Sequence, residues 1–479
     1  MHTNQPRMTL PPAADLGSAA ARQQGSKWPG VLSAAGLPAL ASGQQPRHLA
    51  FLWAAYGEVL ELTAGHNRLI AKVVAPPKGD ADADVGHARK LRSYRIEAAF
   101  YRHYAPVMRA DAARGGPAEG CAIAKPYLIQ AEEDEDAGTA DGGGGDGGAA
   151  GAPPATLLLL LLEDLRGAYP SQPRSYGLED AKRALSWLAC FHATWFESID
   201  VRAGAPEAAT AAEEERRRRR RRDGQKQQQQ QRGQHRSPDD ADPHTPALLW
   251  GSGCYWHLST RQEELRAVSR EWRALADAAE GVDDALRGFG RGRRRYGTLV
   301  HGDAKAANFL FAQEGAGMAG AAPGDRGASG GAVAAYDFQY VGGGYGPRDV
   351  AYLLASSVDE RVLAAPGGEA ALLEHYREAL LAALAKKGEA GARTRGGGGG
   401  GAGVGGGGGG GAGAGGAAAD PYPREALWRH YELSLLDLCR FEAGWGWWGA
   451  VRWAQGRTRE ILARLPEVLE AERRSVMAD

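Results

Sequence analysis

The 479-residue sequence predicts an α+β chain: a small lobe built on an antiparallel sheet with one helix, then a larger, mainly helical lobe. Three observations carry that expectation. Between His48 and Val74 the residues fall into short apolar or alternating runs separated by turn signals. One helix-spaced segment, Arg89–Tyr104, follows them, with Ile96, Ala99 and Phe100 on one face. Beyond about residue 166 helical spacing dominates, as in Leu178–Ser198, Glu369–Ala385 and Arg424–Phe441.

Taken in order, His48–Ala55 is apolar and aromatic, Tyr56-Gly57 is a turn signal, and Glu58–Thr63 alternates as a half-buried strand does. Ala64-Gly65-His66-Asn67 reads as a hairpin turn into a third strand, Arg68–Val74. Cys121–Gln130 and Thr156–Leu162 read as two more strands, with the acidic, Gly-rich stretch Glu132–Ala152 as an expanded hairpin loop. A further helix is expected from about Thr260 to Leu275, and the last helical region ends near Glu472.

Bulk properties narrow the function classes. The net charge is −1 and the pI about 6.9, so no global field points to nucleic acid or to a membrane surface. The four cysteines, Cys121, Cys190, Cys254 and Cys439, are far apart and show no metal-ligand spacing, which argues for a reducing compartment. No apolar run reaches the roughly 18 residues of a membrane span. A cytoplasmic location is expected.

Much of the length is biased filler. Residues 1–45 read as a disordered tail, with an organelle transit peptide as the alternative. The lobes are then expected over 46–165 and 166–479, with low-complexity inserts near 203–246, 314–331 and 388–419. The first insert holds seven consecutive arginines, Arg216–Arg222, preceded by Glu213–Glu215. A solvated loop is the expectation there, and a nuclear-import or nucleic-acid patch the alternative. His192, alone on an apolar helix face, is expected to be a core histidine.

The chemistry-bearing stretch is Val300–Phe311. Asp303, Lys305 and Asn308 sit in one loop, and Tyr336-Asp337-Phe338-Gln339 closes the apolar run Ala332–Tyr336. Phosphoryl transfer requires a carboxylate facing the attacking hydroxyl, a cation near the moving group and oxygen ligands for Mg²⁺. Upstream, Lys72 lies inside an apolar run, where a buried ammonium needs a partner. Glu97 on the next helix is placed to be it. An ordinary edge-strand lysine and a solvated glutamate are the alternative.

The pattern His301-Gly302-Asp303-x-x-x-x-Asn308 followed by Asp337-Phe338-Gln339 resembles the aminoglycoside phosphotransferase/choline kinase group. Within it, the chain is similar to the kinase-like proteins related to choline and ecdysteroid kinases. That resemblance implies a protein-kinase-like two-lobed fold and an ATP- and Mg²⁺-dependent kinase for a small-molecule hydroxyl, such as an amino alcohol, a steroid or an aminoglycoside-like compound. It implies Asp303 as general base, Lys305 as a neutralising cation, and Asn308 and Asp337 as ligands of Mg²⁺ and of the nucleotide phosphates. It further implies that Lys72, held by Glu97, binds phosphates, and that backbone groups of the stretch Glu163 to Leu165 pair with adenine. His301 is expected to buttress the loop, and Asp349 to cap a helix, anchor the loop or do both. The full Gly-rich phosphate loop is missing, with only Tyr56-Gly57 in its place.

Only Tyr340–Pro347 separates Asp337 from the next helix, so no long activation segment fits and a protein substrate is disfavoured. Trp445, Trp447, Trp448 and Trp453 crowd the C-terminal region. They are core packing or, as in choline kinases, a pocket for a quaternary ammonium. A catalytically silent nucleotide-binding scaffold is the competing function. The intact set Lys72, Glu97, Asp303, Asn308 and Asp337 argues against it.

Overall fold

The computed structural model describes residues 28–41, 44–53, 56–76, 85–131, 158–197, 199–200, 205–206, 249–288, 295–313, 332–396 and 420–478. The loop expected at 132–152, the arginine run, the insert at 314–331 and the Gly run from 397 onward lie outside them. The chain divides into two compact units, Met1–Tyr101 with Ala124–Gly167, and Arg102–Ile123 with Ala168–Asp479.

The first unit is a five-stranded antiparallel sheet. Its strands are β1 (Arg47–Phe51), β2 (Gly57–Ala64), β3 (Asn67–Val74), β5 (Pro126–Ala131) and β6 (Leu158–Glu163), in the order β1-β2-β3-β6-β5. Strand β2 alternates half-buried and buried residues, as its sequence implies, whereas β6 is a continuous Leu run because it is central. Leu60, Leu62, Leu69, Ala71, Val73, Leu159 and Leu161 make the core on one face.

A short helix, α1 (Trp28–Ala34), covers that face with Trp28 and Leu32. The expectation of a disordered tail as far as residue 45 therefore fails for this segment. Its Ala- and Pro-rich composition hides a Trp and a Leu four residues apart, and burying such side chains stabilises by about 1.5–3 kcal/mol each. Helix α2 (Val85–Ala99) is the expected helix; it runs on through a π-helical turn, Phe100–Tyr104, into α3 (Ala105–Ala113).

The single strand expected over Cys121–Gln130 is two. Strand β4 (Ala122–Ile123) belongs to the second unit, and β5 starts only at Pro126. Proline has no N–H for a ladder and so suits a strand start, where the chain changes sheets.

In the second unit, β7 (Gly297–Val300) pairs with β10 (Gly342–Tyr345), while β8 (Phe309–Phe311), β9 (Val333–Ala335) and β4 form a three-stranded sheet. Helix α4 (Leu178–Trp195) lies against α8 (Gly368–Gly396), and α7 (Pro347–Ser357) against α9 (Arg424–Trp445). The helix expected at Thr260–Leu275 is broken: α5 spans only Gln262–Ala267, and extended Val268 and Ser269 precede shorter turns and α6 (Ala279–Leu286). Helix α8 continues 11 residues beyond the expected Ala385, so residues 388–396, assigned to a coreless Gly run, are helical instead. Its segment Ala385–Arg395 contains Ala, Glu, Lys and Arg, good helix formers that outweigh Gly388 and Gly391.

Helices α10 (Val451–Leu462) and α11 (Leu465–Ala478) close the chain. Glu472 of α11 accepts from Arg429 Nε at 2.7 Å and lies 3.3 Å from His430 Nε2, both on α9. Against the cost of burial, the His430 and Arg429 partners hold the Glu472 carboxyl at about 2. Its folded value lies below its unfolded value, so its stabilisation is present above about pH 4.5 and lost as the pH falls toward 2. Burial also lowers His430, which adds acid sensitivity of the same sign below the ordinary imidazole range. The urea midpoint of Glu472→Gln should therefore lose less than wild type between pH 4.5 and 3; equal losses would contradict this assignment.

Candidate active site

Two clusters of polar residues are built, one in each unit. In the first unit, Lys72 of β3 stands opposite Val59 and Leu160, so its stem lies in the middle of the sheet. Its Nζ donates to Glu97 Oε2 of α2 at 2.6 Å, and the two side chains are 10% and 2% exposed. At such burial an unpaired ammonium would cost several kcal/mol, so the partner is obligatory. The Tyr94 ring lies 5.6 Å from the same Nζ. Gly57 opens β2 at φ 147°, and a Cβ there would sit 2.0 Å from the Val73 carbonyl, so only glycine fits this turn.

At the far end of β6, the Glu163 N–H is given to the Lys125 carbonyl at 2.8 Å and the Asp164 N–H to the Arg68 carbonyl at 3.0 Å. Those two N–H groups are internal. The neighbouring Asp164 carboxylate is buried and fixed by Arg166, whose Nε lies at 2.8 Å, and by Arg68 at 3.1 Å. Leu165 opens the following turn, Leu165–Gly167.

In the second unit, the loop after β7 is held from beneath by Asp349 of α7. Its Oδ2 accepts the His301 N–H at 2.6 Å, and its Oδ1 accepts the Gly302 N–H at 2.9 Å. His192 Nε2 lies 3.1 Å from Oδ2, and Tyr376 Oη 2.8 Å from His192 Nδ1. His192 is thus a core histidine that also orients the carboxylate holding the loop. Gly302 has φ 77°, and a Cβ would meet the Tyr340 carbonyl at 2.1 Å. Ser357 Oγ accepts the Ala306 N–H at 2.8 Å.

That frame aims Asp303. Its Oδ2 accepts from Lys305 Nζ at 2.9 Å and from Asn308 Nδ2 at 2.9 Å; the Asn308 amide also donates to the Asp303 carbonyl at 2.8 Å. Its Oδ1 is buried and has no hydrogen-bond partner. Burial pushes the Asp303 carboxyl up; Lys305 opposes the rise, and the Asp337 charge adds to it. The loop thus brings together Asp303, Lys305 and Asn308, with Asp337 within electrostatic reach. Asp337 itself has φ 66°, a left-handed conformation rare for a non-glycine residue and enriched at functional positions. Phe338, fully buried, packs on His301 with ring centres 4.8 Å apart, and His301 Nε2 lies 3.1 Å from the Tyr336 carbonyl.

Asn308 spends its amide nitrogen on Asp303, which leaves Oδ1 for a cation. Among the described residues no three His, Cys, Asp or Glu gather as metal ligands. Two donors, Asn308 Oδ1 and the Asp337 carboxylate, fit Mg²⁺, which keeps waters and phosphate oxygens in its octahedron and does not need a protein cage.

Two tyrosines carry no mark in the sequence motif yet reach the site. Burial pushes the Tyr352 phenol up and the nearby Asp303 charge adds to the rise, and its Oη is 3.1 Å from that of Tyr255. A usable signal existed for Tyr352, which lies one helical turn after Asp349. None existed for Tyr255. Of the C-terminal tryptophans, Trp453 is buried, Trp447 packs on Trp272 at 4.9 Å, Trp448 meets the Phe441 ring edge-on, and Trp445 is 60% exposed.

No family model and no curated protein matches the chain. Among solved structures it is similar to the microcompartment-associated aminopropanol kinase, at 14% identity, with 92% of this chain and 97% of that chain covered and a TM-score of 0.39. It is also similar to choline kinase from Cryptosporidium parvum, at 8% identity, with 89% and 90% covered and a TM-score of 0.37. The fold is α+β: a five-stranded antiparallel sheet with its Lys72–Glu97 pair in one unit, and a mainly helical unit that carries the Asp303 loop in the other. Among the described residues no helix is long and apolar enough to cross a membrane.

Proposed function

We propose that the chain is a phosphotransferase that moves the terminal phosphoryl group of ATP to a hydroxyl of a small molecule, with Mg²⁺. The observation that carries this reading is the division of labour on Asp303: Oδ2 is locked by Lys305 and Asn308, while Oδ1 is buried and lacks a partner. A fixed, acceptor-only oxygen is what a general base or an orienting group for a hydroxyl requires. Oδ1 takes the hydroxyl proton as the acceptor oxygen forms its bond to the γ-phosphorus and the bond from that phosphorus to the β–γ bridging oxygen breaks, releasing ADP. Lys305, tethered at Oδ2, stands beside the group whose negative charge moves. Metal bound at Asn308 and Asp337 would neutralise phosphate oxygens. Lys72, fixed by Glu97, is the phosphate cation of the other unit, and the stretch from Glu163 to Leu165 is the adenine edge. Catalysis is then mainly positioning and electrostatics.

The shortness of Tyr340–Pro347 supports a small acceptor over a protein, and β10 pins that segment to β7.

The test is ATP binding by calorimetry, with and without Mg²⁺, on wild type and Asp337→Ala. Wild type should bind in a metal-dependent manner, and the variant should lose about tenfold or more, the weight of one removed charged ligand. Absence of binding by folded wild type overturns the kinase reading and leaves a non-catalytic scaffold.

A further inference from the structure

Three aromatic faces in the second unit already hold a cation. The Arg261 guanidinium lies 5.1 Å from the Phe441 ring centre, 5.9 Å from that of Tyr255 and 6.0 Å from that of Trp445. It is fixed there: Nε donates to the Tyr255 carbonyl at 2.8 Å, and Nη1 to Glu264 at 3.0 Å. The Arg261 and Glu264 side chains are 11% and 12% exposed, while Trp445, stacked on Phe441 at 5.8 Å, leaves one side open to solvent. The Tyr255 hydroxyl also meets that of Tyr352 on α7 at 3.1 Å.

Aromatic faces beside a carboxylate attract quaternary ammonium groups, but a face already in contact with one cation has little field left for a second. A free ligand would have to displace a tethered cation, which competes at an effective concentration of about millimolar or more. We propose that Arg261 fills this cage with the chain's own cation and shuts quaternary ammonium groups out of it, an inference that stands apart from the reading of the Asp303 loop.

The experiment titrates tetramethylammonium chloride into the full chain by calorimetry and tryptophan fluorescence, for wild type, Arg261→Ala and Arg261→Lys. Arg261→Ala should bind it at least about tenfold more tightly than wild type, because three faces and the Glu264 carboxylate become available. The double variant Arg261→Ala/Trp445→Ala should lose that gain, and Arg261→Lys, which keeps a cation, should behave like wild type. Should the alanine variant not fold, Arg261→Gln replaces it, since it keeps a donor for the Tyr255 carbonyl. Saturable binding to wild type that Trp445→Ala removes, or a folded Arg261→Ala or Arg261→Gln that binds no better than wild type, overturns the proposal. ATP titrations of the same samples are read separately, so failure of the kinase reading leaves the cage result standing, and the reverse.

Discussion

Asp303→Ala should slow phosphoryl transfer by about 10²–10⁴-fold while ATP binding persists, the usual weight of a positioned general base. Two features of the loop make this a test of chemistry and not of folding. Asn308 Nδ2 keeps the backbone carbonyl of residue 303 as an acceptor after the side chain is gone. Removing a carboxylate whose Oδ1 is buried without a partner also relieves a desolvation cost. The measurement is kcat on an acceptor identified by screening, alongside calorimetry of the nucleotide. A variant that retains a rate within a few-fold of wild type would move the base to another residue.

Asp349→Ala should destabilise the second unit by about 3–5 kcal/mol, because it breaks a buried, charged, multiply bonded group. The carboxylate is fully buried and accepts from two backbone N–H groups and from His192. Alanine leaves both N–H groups buried without acceptors, and each such group costs roughly 1–3 kcal/mol. Asp349→Asn, with one acceptor oxygen in place of two, should fall between wild type and alanine. Urea unfolding measures this directly. A loss below about 1 kcal/mol for alanine would mean that water or a rearranged loop replaces the carboxylate.

The Asp303 loop was legible because its parts lie within six residues of one another and chemistry fixes their types. The Lys72–Glu97 pair was legible for a different reason: a lysine inside an apolar strand demands a partner, and one helix followed. What stayed hidden depends on distant parts of the chain meeting. Asp349 read equally as a helix cap, since nothing local reveals that His301 and Gly302 lie above it. Tyr255 and Arg261 are ordinary residues in sequence; only packing of α5 against α9 puts that arginine on Phe441. The tail hid α1 because composition averages over Trp28 and Leu32. The sheet change at Ala124–Pro126 was missed because an apolar run carries no mark of which sheet it joins.

The segment after Asp337 carries a last consequence. Strand β10 is hydrogen-bonded to β7 on one side, and the Trp250 and Gly253 backbones bond Val341 and Gly343 on the other. A Cβ on Gly342 would lie 2.3 Å from the Trp250 carbonyl, so the backbones touch. Where protein kinases keep a stretch that phosphorylation can order or release, this chain has a stitched ribbon with nothing to unfasten. On the proposed reading such a catalyst has no off position in this stretch, and its throughput follows how much of it is made and how much acceptor reaches it.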